Sequence, residues 1–203
     1  MSGQLFAAMR HAPTDWNARG LLQGLTDTPL SAEGIALARC WRVPAPATSW
    51  PRVSSPLVRA RHTAELIGPT APVAIDSRLR EMSFGAWEGR TLADLRRDGG
   101  EAFFANELRG LDFTPPGGES PRHAMVRVAS WLDDHVRADA PVLVVAHKAV
   151  LRTLLALATG WDMTDKPPVR FQRAAIHLFR ALPGGGVSLE RANIPMETDR
   201  AAA

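Results

Sequence analysis

Cysteine is almost missing from this chain. The one thiol, Cys40, has no internal partner among 203 residues, which excludes a disulfide framework and suits a reducing compartment. It is expected to be a small buried hydrophobe. Long apolar runs are missing too, none approaching the roughly 18 residues of a membrane span. The first residues carry neither the charged start nor the cleavage signal of a secreted precursor. A cytoplasmic protein with no membrane partner is therefore expected. Repeats and low-complexity tracts are absent. Basic runs are absent as well: 24 Lys and Arg, nearly all Arg, are scattered among 21 Asp and Glu, for a formal net charge of +3. That scatter argues against a nucleic-acid partner, whereas a few convergent arginines suit a small phosphate ester.

With 45% hydrophobic residues, residues 1–203 can form one domain with a sizeable core. Short apolar runs alternate with segments of helical period, which is an α/β pattern. Leu5 to Met9 reads as a buried strand. Ser31 offers a helix N-cap, followed by Ile35, Ala38 and Trp41 or Arg42 at helical spacing, and Pro44 to Pro51 ends that helix. Pro51 to Ser54 reads as a strand. Ser55 then caps a helix with Pro56 at its first position and Leu57, Ala60, Ala64 and Ile67 on its apolar face, stopped by Gly68-Pro69. Val73 to Ile75 makes another strand, and a helical stretch starts near Thr91. Ala93 to Phe113 is polar, Arg-rich and irregular, and residues 91–118 are expected to form an excursion covering the site. Ser120 and Pro121 open a helix carrying Met125, Val128 or Ala129, Leu132 and Val136 on one face. Pro141 to Ala146 is uniformly apolar, as in strands covered on both faces of a parallel sheet. Leu151, Leu154, Leu155 and Ala158 mark a helix capped by Gly160. Ala175 to Leu182 and Val187 to Ala192 close a hairpin around Pro183 to Gly186.

The residues that carry chemistry sit at the ends of these elements. His11 and His147 both follow predicted parallel strands, where open α/β sheets bind ligands. An imidazole there can attack phosphorus while Arg10, Arg59 and a protonated His147 neutralise the equatorial oxygens. Arg59 falls in a helix's first turn, where free amide groups face the same anion. Asn17 can add an amide donor.

Five segments carry a resemblance. They are Arg10-His11 with Thr14, Trp16-Asn17, Gln23-Gly24, Asp27 and Pro29-Leu30; Ser54 to Glu65; Leu79 to Gly89; Pro116-Gly117-Gly118-Glu119-Ser120; and Val144 to His147. In this order the chain resembles the histidine phosphatase superfamily, also called the phosphoglycerate mutase-like family, and its phosphatase branch. The resemblance implies a three-layer α/β/α sandwich with a mostly parallel central sheet and a metal-independent phosphatase that hydrolyses a small phosphorylated metabolite through a phosphohistidine, with no cofactor. It implies catalytic roles for His11, Glu81, His147, Arg10 and Arg59, and substrate contacts for Arg10, Asn17, Gln23, Gly24 and Arg59. Two positions depart from the family. Lys148-Ala149 stand where glycines are usual, so Lys148 is a further candidate for substrate contact, and Leu21 stands where an arginine is common, with Arg19 as a possible substitute.

Alternatives remain open at the level of sequence. A phosphoglycerate mutase-type phosphotransferase would use the same residues, although such mutases are usually longer. A non-catalytic phosphoester-binding regulatory protein would keep the pocket without turnover. A metal hydrolase using His11, His147 and Glu81 as ligands conflicts with Arg10 and Arg59 converging there. His62, His123, His135 and His177 lack partners at metal-ligand spacing and receive no role. Ser54 and Ser55 lack the elbow of a serine nucleophile. Trp16 and Trp87 can serve either the pocket or the core.

Overall fold

A computed structural model describes residues 3–68, 72–138 and 140–198. In chain order the elements are β1 (Gln4–Arg10), α1 (Asp15–Ala18), α2 (Ala32–Cys40), β2 (Trp41–Arg42), β3 (Arg52–Ser54), α3 (Val58–Leu66), β4 (Ala74–Ile75), α4 (Leu92–Glu107), α5 (Pro121–Ala138), β5 (Val142–Ala146), α6 (Lys148–Thr159), β6 (Ala175–Leu182), β7 (Gly186–Pro195) and β8 (Glu197–Thr198). Among the described residues the main sheet runs β4-β3-β5-β1-β6-β7. Its first four strands are parallel; β6 joins β1 antiparallel and β7 closes the hairpin.

Strand alternation turns β1 into the hinge of two cores. Ala7 and Met9 face Ala38 of α2 and Ala60 and Ala64 of α3. Phe6 and Ala8 face Val128 and Leu132 of α5 and Val150 and Leu154 of α6. The sheet is therefore the middle of three layers. Phe6 has no exposed surface, stacks on Phe179 at 5.4 Å and meets Trp131 edge-on at 5.3 Å. Truncating such a ring to alanine costs about 3–5 kcal/mol.

Several boundaries follow the sequence signals. The Ser31 hydroxyl accepts the Gly34 N–H at 3.0 Å to open α2, and the Ser120 hydroxyl accepts that of His123 at 3.2 Å to open α5. Gly160 ends α6 in the left-handed region at φ 72°, which a side chain would strain.

Others need correction. The α3 helix starts at Val58, with Leu57 as its cap, so Pro56 lies outside it. Its first amides are satisfied from elsewhere: Val58 N–H donates to Asp27 Oδ1 at 2.7 Å and Leu57 N–H to the Ser55 hydroxyl at 3.2 Å. The expected stop at Gly68-Pro69 falls partly outside the described residues. The α2 helix ends at Cys40, and Trp41–Arg42 extend to pair with β8. Cys40 is half-buried.

The segment expected to be irregular holds a 16-residue helix, α4, opened by the Thr91 hydroxyl accepting the Asp94 N–H at 3.0 Å and kinked at Gly100. Its buried residues are just Leu95 and Phe103. That is too sparse an apolar stripe to register as helical period. On α5 the buried stripe is Ala124, Val128, Trp131, Leu132 and His135, with Met125 and Val136 at its margin. Among the described residues no helix is long and apolar enough to cross a membrane.

Candidate active site

The C-terminal ends of β1, β3 and β5 bring three loops together. His11 N–H donates to the Ala146 carbonyl at 2.9 Å and Ser55 N–H to that of Val145 at 3.2 Å, so the parallel ladder continues just far enough to align them. The rings of His11 and His147 lie 5.2 Å apart at 56°. Both are buried. His11 lines a cavity of about 520 Å³ together with Arg10, Arg59 and Glu81, and His147 lies against the His11 ring.

His11 Nδ1 lies 2.7 Å from the Ala12 carbonyl, which can only accept, so that nitrogen carries the hydrogen. The lone pair is left on Nε2, the nucleophilic form. Burial first, then the charges of Arg10 and Arg59, hold the His11 pKa well below its ordinary value. The ring is neutral at physiological pH. Its loop is tied down by Thr63, whose hydroxyl accepts the Ala12 N–H at 3.0 Å and donates to the Arg59 carbonyl at 2.6 Å.

His147 is the last residue before α6. Its Nε2 lies 2.7 Å from the Ser55 hydroxyl, which already accepts the Leu57 N–H. That hydroxyl can donate to Nε2, an arrangement that leaves the ring hydrogen on Nδ1. Nδ1 is buried without a partner, as are Arg10 Nε and Arg59 Nε. Three orphaned nitrogens at one site call for an anion. The expectation of a protonated His147 needs correction, because burial, His11 and the two arginines hold its pKa well below the ordinary value. A neutral ring still donates through Nδ1, and an arriving phosphate dianion favours its protonation.

Arg59 is fully buried in the first turn of α3, donating to the Thr26 carbonyl at 2.9 Å and the Gly24 carbonyl at 2.7 Å. Desolvation lowers its pKa, and Glu81 opposes that most among its charged neighbours. Residues 24–26 are in turn gripped by Glu88, which accepts from the amides of Leu25, Thr26 and Phe84 and from the Thr26 hydroxyl at 2.6–3.1 Å. Gly24 does not line the cavity, against expectation. It adopts φ 52°, and a Cβ there would meet Glu88 Oε1 at 2.0 Å, so its bare backbone serves the loop whose carbonyl holds Arg59. Gln23 does line the cavity, its carbonyl oxygen held by the Thr28 hydroxyl at 2.6 Å.

Glu81 is buried, and its carboxylate accepts from Met82 N–H at 3.0 Å and, at the start of α6, from Ala149 N–H at 3.1 Å. Burial nonetheless raises its pKa above the ordinary value, against the pull of those amides, Arg59 and Arg10. Such a carboxyl can hold and release a proton. Asn17 Oδ1 accepts from Thr14 N–H at 3.2 Å and from Arg173 Nη1 at 2.9 Å, which leaves its NH₂ as the free group on the cavity wall. Lys148 lines the mouth. Trp87 lines it too, wedged against Phe103 and Phe113.

Arg19 is exposed and outside the cavity, so it does not replace the arginine missing at Leu21. Arg173 and Arg152 line the cavity instead, and neither was expected. Arg152 lies one turn beyond Lys148 on α6, a spacing that puts both on one face. Arg173 comes from an aperiodic loop and leaves no such trace. The remaining histidines pack. His135 stacks on Trp131 at 5.2 Å, and His177 stacks on Phe171 at 4.1 Å while its Nδ1 accepts the Asn193 N–H at 3.1 Å. Among the described residues no group of three His, Cys, Asp or Glu side chains is placed to hold a metal ion, so the ligand set His11, His147 and Glu81 is not formed.

Comparison with known proteins matches this architecture. The profile of the histidine phosphatase superfamily, branch 1, covers residues 6–194. The adenosylcobalamin/alpha-ribazole phosphatase of Salmonella typhimurium is 35% identical over 156 residues, 73% of this chain and 76% of that protein. A 2,3-bisphosphoglycerate-dependent phosphoglycerate mutase of Beijerinckia indica is 27% identical over 189 residues, 87% and 91% of the two chains. Among solved structures, the mycobacterial glucosyl-3-phosphoglycerate phosphatase complexed with VO3 aligns with a TM-score of 0.78 at 27% identity, covering 94% of this chain and 99% of that one. Length does not separate phosphatase from mutase here, since the match spans nearly all of the mutase.

Proposed function

This chain belongs to the histidine phosphatase superfamily, branch 1, and from that premise we propose that it hydrolyses small phosphomonoesters through a covalent phosphate on His11. One observation carries the reading: a neutral, desolvated His11 with Nε2 free stands beside His147, and three buried nitrogens of Arg10, Arg59 and His147 lack partners at the same spot.

The chemistry follows from the charges. As a phosphoester enters, Arg10, Arg59, Asn17 and His147 share its oxygens, and His11 Nε2 approaches phosphorus opposite the ester oxygen. The N–P bond forms as the P–O bond breaks. Glu81, whose pKa burial raises and an arriving phosphate dianion raises further, gives a proton to the departing oxygen. In the second half Glu81, now ionised, takes a proton from water as that water attacks the phosphohistidine, releasing phosphate and restoring neutral His11.

The 35% identity to the phosphatase supports hydrolysis, while mutase relatives reach 32%, so the assay below decides between release and transfer. A cytoplasmic setting fits the single cysteine and a small metabolite substrate.

The test is phosphate release from para-nitrophenyl phosphate in the presence of chelator. We expect turnover that His11→Ala abolishes, and an acid-labile, alkali-stable phosphate on His11 in quenched wild-type protein. Turnover that survives His11→Ala would overturn the assignment. Phosphate appearing on a second added phosphoglycerate instead of in solution would establish a mutase.

A further inference from the structure

Many arginines of this protein are neutralised in place. Arg78 meets Asp76 at 2.7 Å and Asp134 at 2.6 Å, Arg96 meets Glu107 at 2.8 Å, Arg122 meets Asp112 at 2.7 Å and Arg127 meets Glu119 at 2.8 Å. Beside the catalytic cavity that habit stops. A second space, also about 520 Å³, adjoins the first along Arg10, Lys148, Arg152 and Arg173, which line both. Lys166 and Arg170 line the second space alone.

Among the described residues no carboxylate lines this annex and none of its six cations forms an ion pair. Their polar contacts are few: Arg152 lies over the Trp161 ring at 4.6 Å and Arg173 donates to Asn17. The two acids on the adjoining catalytic walls are engaged as well. Glu81 accepts backbone amides, and Glu107 is held by Arg96. The crowding shows in the ionisation of its members. Desolvation and then Arg10 push Arg173 down to about 10, while Lys148 is lowered by desolvation and by Arg10 and Arg152. Cations that depress one another and meet no acid define a positive potential waiting for an anion.

The scissile phosphate does not meet that demand, because Arg10, Arg59, Asn17 and His147 already surround it. The five cations that remain once Arg10 is engaged there also exceed what one carboxylate would match. We infer that the preferred substrates carry a second phosphate, which passes Lys148 and Arg152 and seats against Lys166 and Arg170 in the annex. The inference rests on the phosphatase reading for the first phosphate and adds the substrate class to it. The apolar remainder of the annex, including Leu151, Leu155, Val169 and Phe171, leaves room for the carbon chain that joins the two groups.

The experiment compares hexane-1,6-diol bisphosphate with hexyl phosphate, and propane-1,3-diol bisphosphate with propyl phosphate to cover a shorter span. For wild type, kcat/KM should favour the better-fitting bisphosphate over its monophosphate by about tenfold or more, as charge-assisted contacts allow. In Lys166→Glu/Arg170→Glu the same ratio should fall to about one. Calorimetric binding of the same four compounds to His11→Ala protein gives an answer independent of turnover. A preference there with no hydrolysis in wild type would uphold the annex and sink the phosphatase; hydrolysis of all four compounds with equal affinities would do the reverse. A bisphosphate preference that survives the double charge reversal also overturns the inference.

Discussion

At the scale of single residues the site is organised by conflicts between burial and charge. Glu81 sits where desolvation raises its pKa and where two amides and two arginines pull it back, so its proton is retained or released according to what else occupies the cavity. Glu81→Gln preserves shape and the acceptor for Ala149 N–H but cannot transfer a proton. For an alkyl phosphate, whose leaving oxygen needs that proton, kcat/KM should fall by about 10²–10⁴. For para-nitrophenyl phosphate, whose phenolate leaves unaided, the fall in kcat/KM should stay within about tenfold. Steady-state kinetics on the two esters decides the matter, and equal losses would reduce Glu81 to a structural role. His11, His147, Arg10, Arg59 and Glu81 were legible in the sequence because each stands at a strand end, a helix's first turn or a motif with fixed neighbours. The neutrality of His147 was not legible, since it depends on how many cations the fold gathers around one buried ring. Gly24 misled for a related reason. A glycine in a ligand loop suggests close approach to substrate, whereas here the close approach is to Glu88.

At the scale of elements the site depends on a relay of backbone contacts. Glu88 holds residues 24–26, whose carbonyls hold the Arg59 guanidinium, and α3 holds the rest of Arg59. Glu88 is thus a positioning residue that never meets the substrate. Glu88→Ala should cost about 1–3 kcal/mol of stability through its lost charge-assisted bonds and should also weaken inhibition by inorganic phosphate several-fold. Glu88→Gln, which keeps one of the two acceptor oxygens, should fall between. Melting temperature and the phosphate inhibition constant, measured on both variants, test this. A lower melting temperature with unchanged phosphate inhibition would confine Glu88 to stability. Elements with dense apolar stripes, such as β1, β5 and α6, were readable in the sequence. The α4 helix was not, because it lies over the cavity mouth with two buried residues and satisfies the rest through solvent-facing ion pairs such as Arg96 with Glu107. The start of α3 was misplaced since its amides are capped by Asp27, 31 residues earlier in the chain, a pairing no local signal announces.

At the scale of the whole molecule, four of the histidines are buried and held below their ordinary pKa: His11, His135, His147 and His177, the last pushed down to about 4 by burial. In the unfolded chain each recovers a pKa near 6.5. Between those values the unfolded state binds protons that the folded state refuses, so stability is intact above about pH 6.5 and falls as pH drops. His177 alone removes about 2 kcal/mol by pH 5 and about 3 by pH 4. Glu81 acts in the opposite sense. Its folded pKa is raised, so the cost of keeping it ionised is relieved on acidification, but one such group offsets little against four. Urea unfolding at pH 7.5, 6 and 5 should show a falling midpoint, and a level midpoint would overturn the reading of the buried rings as neutral. Inorganic phosphate separates the site from the core. Bound between His11 and His147, it favours their protonated forms and stabilises the native state by mass action, so saturating phosphate should flatten part of the acid dependence. The share owed to His135 and His177, which pack on Trp131 and Phe171 outside the cavity, should persist unchanged.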